Sequence, residues 1–322
     1  MSKLIKERIK ILMHNDRVFG FYLSSQILFF KLKIIVQLFF AKYFNKNVKV
    51  VTNKDLLSQC GDRRIKNVHV IGSGWSIMES LDSGNRMQSE DFIIGFNYSG
   101  LLHRYLKFNL YFFEFGGHQF FDTVKDHLEI NSLLGDDCIK VFKNLWGEKN
   151  NIKSSAVNWG GQAYFVTDVL PHCISEQPNI IRKVLLRALD SNDSFLYQIS
   201  STAITSIIFA YHMGAKNIII HGVDFGGQYF YETSDFICNN QPLNLNIFNK
   251  SMGQKQSDLA YSMNNVGATH PTSQGKVTIN IILEHLNILL RERGVCLYSG
   301  SSKSPLSQIL PIYLECEDES GD

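Results

Sequence analysis

The sequence predicts an α/β protein built on a doubly wound, mostly parallel sheet. Three observations carry this. Short apolar runs of four or five residues recur along residues 66–322 without polar alternation, as strands buried on both faces require. Longer stretches with apolar residues at helical spacing separate the later runs. Glycines and polar turn residues close each run where a strand should hand over to a helix.

In chain order, strands are expected over 68–71, 92–96, 110–113, 141–145, 217–221 and 295–298. Helices are expected over 201–213, closed by Gly214, and over 272–293, closed by Gly294. The polar turn 60–66 divides a basic amphipathic helical segment, 1–65, from the domain that carries these strands and helices, 66–322, in which about 226–269 is expected to form a lid. The chain has 322 residues, enough for a large buried core, and 44% hydrophobic with 19% charged residues excludes wholesale disorder.

Charge is uneven. Ten basic residues (Lys3, Lys6, Arg8, Lys10, Arg17, Lys31, Lys33, Lys42, Lys46, Lys49) face only Glu7 and Asp16 in the first fifty positions. The apolar stretch from Phe19 to Phe44 is interrupted by Lys31 and Lys33, each costing roughly 2.5–3.5 kcal/mol inside a bilayer. It reads as an amphipathic helix on an anionic membrane surface, apolar on one side and basic on the other; packing on the protein's own core or on a second subunit of a homo-oligomer is the alternative. No nucleic-acid partner is expected. The six cysteines are scattered singly, without a CxxC pair, and read as reduced, mostly buried residues of a cytoplasmic protein peripheral to the inner face of the cytoplasmic membrane.

In a doubly wound sheet the ligand sits beyond the carboxyl ends of the strands, which selects Gly72–Ser76, Asn97, Glu114, Gly222–Phe225 and the serines from Ser299. Gly72, Ser73 and Gly74 form a GxGxS turn whose backbone N–H groups suit a phosphate; a ligand-free tight turn is the alternative. Ser201 and Thr202 open a helix, as caps or as ligand contacts. Asp224 ends the most convincing strand, as a functional carboxylate or a structural turn residue, and leads into a glycine-rich, aromatic loop with Tyr229 and Tyr231, whose hydroxyls either donate to a leaving phosphate or belong to a loosely packed lid. His270, in a polar loop before the last long helix, is the candidate general base. His69 and His285 are expected to be buried in regular elements, His14 and His127 to lie at the surface.

These motifs, in this order, resemble the bacterial sialyltransferases of glycosyltransferase family 42 over roughly residues 68–310; the stretch Gly214-Ala-Lys-Asn-Ile-Ile-Ile-His-Gly-Val-Asp-Phe225 is the most specific. The resemblance implies a Rossmann-like fold of the GT-A-type variant and an inverting transfer of sialic acid, or a related nonulosonate, from a CMP-activated donor to a glycan or glycolipid acceptor, in lipopolysaccharide or capsule biosynthesis. It also implies His270 as base, nucleotide contacts from Ser73, Asn97, Ser201 and Thr202, and neither a metal ion nor another cofactor. The candidate nucleotide site is completed by Gly72, Gly74, Glu114, Gly222, Asp224 and Ser299. Three positions depart from the family: Gly226 replaces a tyrosine, Glu114 stands where an asparagine is usual, and Gln198-Ile199 stand where an arginine is usual. Other readings are a transferase of another activated sugar, such as CMP-Kdo or a nucleoside diphosphate sugar, and a non-catalytic membrane-associated scaffold of polysaccharide assembly.

Overall fold

A computed structural model describes residues 15–44, 49–61, 65–82, 87, 90–114, 120–143, 163–166, 168–169, 178–191, 196–226, 229–232, 236 and 277–314. Ten strands are assigned among them: β1 (Lys49–Val50), β2 (Asn67–Ile71), β3 (Phe92–Phe96), β4 (Leu110–Glu114), β5 (Ile139–Lys143), β6 (Ala163–Val166), β7 (Asp168–Val169), β8 (Leu196–Tyr197), β9 (Asn217–His221) and β10 (Cys296–Ser299). The helices are α1 (Asp16–Phe44), α2 (Asn53–Cys60), α3 (Ile77–Asp82), α4 (Phe120–Leu133), α5 (Pro178–Leu189), α6 (Thr202–His212) and α7 (Ile279–Arg291).

Eight strands form one sheet in the order β1-β6-β5-β4-β3-β2-β9-β10, every pairing parallel. The chain therefore winds outward from β2 to β6 and then returns to the other side of β2 with β9. That places the topological switch between β2 and β9, where open α/β sheets bind ligands. The expected doubly wound α/β class is the observed one. β1, β6 and the separate β7–β8 pair were not expected; at two to four residues each they carry too little pattern to read.

Period-two alternation builds a core on each face. Leu110 and Phe112 of β4 enter one cluster with Val68, Val70, Ile94, Ile218 and Ile220, while Tyr111 and Phe113 enter the other with Ile93 and Phe142. The first cluster is covered by α1, α5, α6 and α7. α6 is buried at every position from Thr202 to Ala210, as expected of a helix apolar around most of its circumference. Its expected stop at Gly214 (φ +81°) and that of α7 at Gly294 (φ +74°) are both present.

α1 differs from the single-sided amphipathic helix expected. Phe19, Leu23 and Ile27 lie in the first core cluster, and the Lys183 ammonium of α5 sits 5.8 Å from the Phe19 ring centre. Phe21, Leu28, Leu32 and Ile35 point to solvent instead. Apolar residues thus occupy two opposed faces, roughly 150° apart at 100° per residue. Strand β1 after α1 pairs into the main sheet, and Val51 and Leu56 share the core of the following strands.

Across the second face runs a chain of buried polar side chains. Asn217 Nδ2 donates to Asn67 Oδ1 (2.9 Å), and Asn67 Nδ2 to Asp91 Oδ1 (3.1 Å). His69 Nε2 meets Asp91 Oδ2 at 3.0 Å, and His69 Nδ1 meets His221 Nε2 at 2.9 Å. With one proton on each ring, the carboxylate holds it on His69 Nε2, His221 Nε2–H donates to His69 Nδ1, and the His221 Nδ1 lone pair faces Gly300. A Cβ on Gly300 would lie 2.1 Å from that nitrogen, so only glycine fits there. His69 is buried as expected, whereas His127 is also buried rather than superficial. Its ring packs 5.4 Å from Phe113 and 5.8 Å from Tyr98, because α4 turns a polar stripe (Asp126, His127, Asn131) inward. Of the cysteines, Cys60 and Cys138 are buried, with burial pushing both thiols up to about 12, and Cys296 is exposed.

Burial holds His127 down at about 3 and His212 and His221 below the usual histidine value of 6.5. His103 is lowered too, by burial and then by Arg104. Each binds its proton more readily unfolded, so this stability is complete above pH 6.5 and is lost as pH falls below it. Melting temperature is expected to drop from pH 7 to pH 5. His127→Phe should flatten the dependence by up to about 1.4 kcal/mol per pH unit, one linked proton; an unchanged slope in that variant refutes the assignment.

Candidate functional site

The carboxyl edge at the switch is closed by direct contact between two loops. Gly72 N–H donates to the His221 carbonyl (2.8 Å) and Gly74 N–H to the Gly222 carbonyl (2.7 Å). A Cβ on Gly72 would lie 2.3 Å from Gly222 O, and one on Gly74 2.4 Å from Asp224 Oδ2. The glycines therefore serve a close approach of backbone to backbone, and their amide donors are engaged within the protein.

Asp224 completes this seam. Ser76 N–H donates to its Oδ2 (2.8 Å), while Ser76 Oγ (2.5 Å) and Ser304 Oγ (2.8 Å) donate to its Oδ1. Burial pushes its pKa above the usual carboxylate value, and the serine hydrogen bonds pull it back down in part. The carboxylate joins the loops after β2, β9 and β10. Nearby, Glu79 on α3 accepts from Ser301 Oγ, from Ser302 Oγ (3.1 Å) and from Lys303 N–H (3.1 Å). Burial acts upward on Glu79, yet these bonds outweigh it and hold the carboxyl below its usual range. Ser299 Oγ donates to the Ser301 carbonyl (2.8 Å) within the same serine loop. Glu79 was missed from sequence; its one signal is an acid in the first turn after the GxGxS loop.

Asn97 directly follows β3 with φ +54°, a left-handed conformation. The Tyr111 hydroxyl fixes this turn, donating to the Asn97 carbonyl (2.5 Å) and accepting from Gly100 N–H (2.6 Å). The Asn97 side-chain oxygen is buried and has no hydrogen-bond partner. Ser200 (φ +67°) and Phe225 (φ +59°) are the other non-glycine residues with positive φ among the described residues, and they too lie just past strand ends, β8 and β9. Backbone strain thus gathers on the ligand-facing edge.

Glu114 ends β4. Gln198 Nε2 donates to its Oε1 (2.7 Å) and Thr202 Oγ1 to its Oε2. Two of the three departures from the family pattern, Glu114 and Gln198, are therefore hydrogen-bonded to each other. Ser201 caps α6 through Ile204 N–H (3.3 Å), while Thr202 is turned to Glu114.

Residues 229–232, in the stretch expected to be a lid, fold back on the glycine turn. Tyr229 bridges Gly74, and Phe230 N–H donates to the Ser73 carbonyl (3.1 Å). The Tyr229 and Tyr231 rings stack 5.1 Å apart at 8°, and Tyr98, next to Asn97, lies 5.4 Å from Tyr231. Tyr229 is half-buried and Tyr231 buried. The structure so brings Ser73, Gly74, Gly222, Asp224, Tyr229 and Tyr231 together, with Asn97 one aromatic contact away and Glu114, Ser201 and Thr202 at the head of α6. His14, His270 and most of the expected lid lie outside the described residues. Among the described residues no group of three or more His, Cys, Asp or Glu is placed to hold a metal ion.

No family model matches the chain, and no curated protein does. Among solved structures, the monofunctional alpha-2,3-sialyltransferase Cst-I from Campylobacter jejuni is 17% identical, over 78% of this chain and 82% of that one, with a TM-score of 0.44. Cst-II from Campylobacter jejuni in complex with the substrate analogue CMP-3FNeuAc is 17% identical over 77% of this chain and 86% of its own, at 0.44. Cst-II with a trisaccharide acceptor and CMP is 17% identical over 77% and 86%, at 0.40. Similarity at this level assigns no residue a role.

Two variants separate the seam from the ligand edge. Asp224→Asn should cost about 2–4 kcal/mol of unfolding stability, since it leaves buried hydroxyl donors mismatched; an unchanged melting temperature would mean the carboxylate is no strut. Asn97→Gly keeps the left-handed turn without strain and removes the amide. It should hold melting within a few degrees while weakening binding of CMP about tenfold, the worth of one lost hydrogen bond; undiminished CMP binding removes Asn97 from the site.

Proposed function

We propose that this chain is a glycosyltransferase that moves sialic acid, or a related nonulosonate, from a CMP-activated donor to a glycan hydroxyl. The observation that carries the reading is the Asn97 side-chain oxygen: a buried acceptor without a partner, on a strained turn beyond a strand's carboxyl end and near the sheet's switch point. A cytosine offers the complementary group, its exocyclic amine. The ordered motifs around Asn97, from Gly72 to the Gly222-Val-Asp-Phe225 stretch, supply the donor class through the family they resemble.

In the proposed reaction His270 takes the proton from the acceptor hydroxyl as its oxygen bonds to the anomeric carbon. The bond from that carbon to the CMP phosphate breaks, and its electron pair leaves with CMP, inverting the centre. A phosphate monoester has a second pKa of about 6, so the leaving group needs hydrogen-bond donors rather than full protonation. Tyr229, held by its bridge to Gly74, and Tyr231 are the donors assigned to it. No metal ion is invoked. A second reading is favoured by Glu114 with Gln198 and Thr202: an anion stands where the family has an asparagine, and Gln198-Ile199 stand where it has an arginine before the Ser200-Ser-Thr202 segment. Such an edge suits a donor offering hydroxyls there, and transfer of CMP-Kdo or of a nucleoside diphosphate sugar stays open on that ground.

Titrating the protein with CMP, CDP, UMP and UDP while following its melting temperature tests the reading, since a ligand selective for the native state must raise it. Stabilisation by CMP without metal, with His270→Ala retaining that response but losing transfer from a CMP-sugar, is the expected result. A response confined to a diphosphate with magnesium or manganese overturns the sialyl reading in favour of the second.

A further inference from the structure

α1 is apolar on two opposed faces, and only one of them is used by the fold. Phe19, Leu23 and Ile27 are spent on the core. On the opposite side Phe21 is 78%, Leu28 59%, Leu32 55% and Ile35 56% exposed. Their spacing of seven, four and three residues draws one stripe along the helix, about 21 Å long at 1.5 Å per residue. Exposed phenylalanine and leucine in such a row are uncommon on a free surface and mark a contact.

Charge identifies the contact. The first fifty residues carry ten basic and two acidic side chains, a net of +8, although the whole chain has a formal net charge of only +2. Arg17, in the first turn of α1, is exposed beside the stripe. A second copy of this chain would bring the same positive charge against itself, whereas an anionic lipid surface attracts it. No helix among the described residues is long and apolar enough to cross a membrane, so the geometry suits a helix lying in the interface plane.

From these observations we propose that the outer face of α1, through Phe21, Leu28, Leu32 and Ile35, docks the protein laterally onto an anionic phospholipid bilayer, with α5 and the sheet carried on the helix's other side. This stands apart from the choice of donor, because none of these residues belongs to the carboxyl edge.

Flotation of the full-length protein with vesicles tests it. The wild type should float with vesicles of phosphatidylglycerol and phosphatidylcholine, and not with phosphatidylcholine alone. Raising the salt to 0.5 M should weaken the binding, because the Debye length shrinks to a few Å. Leu28→Glu combined with Leu32→Glu should reduce the bound fraction at least tenfold while melting temperature and any CMP response stay as in the wild type. Wild-type protein that floats with neither vesicle overturns the proposal, as does a double variant that binds undiminished. Sedimentation velocity supplies the remaining outcome: a dimer that the double variant dissociates would assign the face to a second copy and overturn the lipid assignment. Should the double variant melt early, the salt and lipid-charge dependence of the wild type decides alone, and equal binding to both vesicle types counts against the proposal.

Discussion

The loops leaving β2 and β9 run so close together that neither Gly72 nor Gly74 has room for a side chain, and Asp224 closes the seam from below with three donors from two serines. This contact sets where the rest of the carboxyl edge can be. It anchors the helix start after the glycine turn, the serine loop after β10 through Ser304, and residues 229–232 through the Tyr229 bridge and the Phe230 amide. A buried carboxylate is costly to desolvate, and the serine hydrogen bonds offset that cost by satisfying both oxygens. The seam is bonded internally at Gly72, Gly74 and Asp224, and the Asn97 amide and the paired tyrosines stand at its rim.

The polar interior is organised by the same requirement that buried groups find partners. Asp91, just before β3, pairs with His69 of β2, which meets His221 of β9, and the far ring nitrogen of His221 faces Gly300. Glu114 is paired with Gln198 and Thr202 across more than eighty residues of sequence. Taken singly, Glu114 and Gln198 each read as a departure from a family pattern. In the fold they form one arrangement, in which a carboxylate and an amide satisfy each other.

Much of the sheet was legible in the chain. The runs 92–96 and 217–221 are strands with the expected bounds, and the others shift by one or two residues, because a two-sided buried strand is a run of apolar residues bounded by turn formers. Glycine at positions 214 and 294 announced helix ends through their left-handed turns. His127 was misjudged because helical spacing marks which residues share a face without saying which face turns inward when both carry polar groups. The glycine turn left a phosphate cradle and a ligand-free tight turn both open from sequence, since GxG has the same local form whether its amides meet a ligand or, as at Gly72 and Gly74, a neighbouring loop.

Local pattern, then, determined the α/β class and the parallel strands, since each depends on residues close in sequence: apolar runs, caps and turn glycines. Tertiary structure decided what those residues do. The close approach of Gly74 to Asp224, the chain from Asp91 to His221, the pairing of Glu114 with Gln198 and the division of α1 into a buried and an exposed apolar face all join positions distant along the chain or set by packing. Long-range contacts of this kind arise from burial and hydrogen-bond satisfaction in the folded state, which no single stretch of sequence contains.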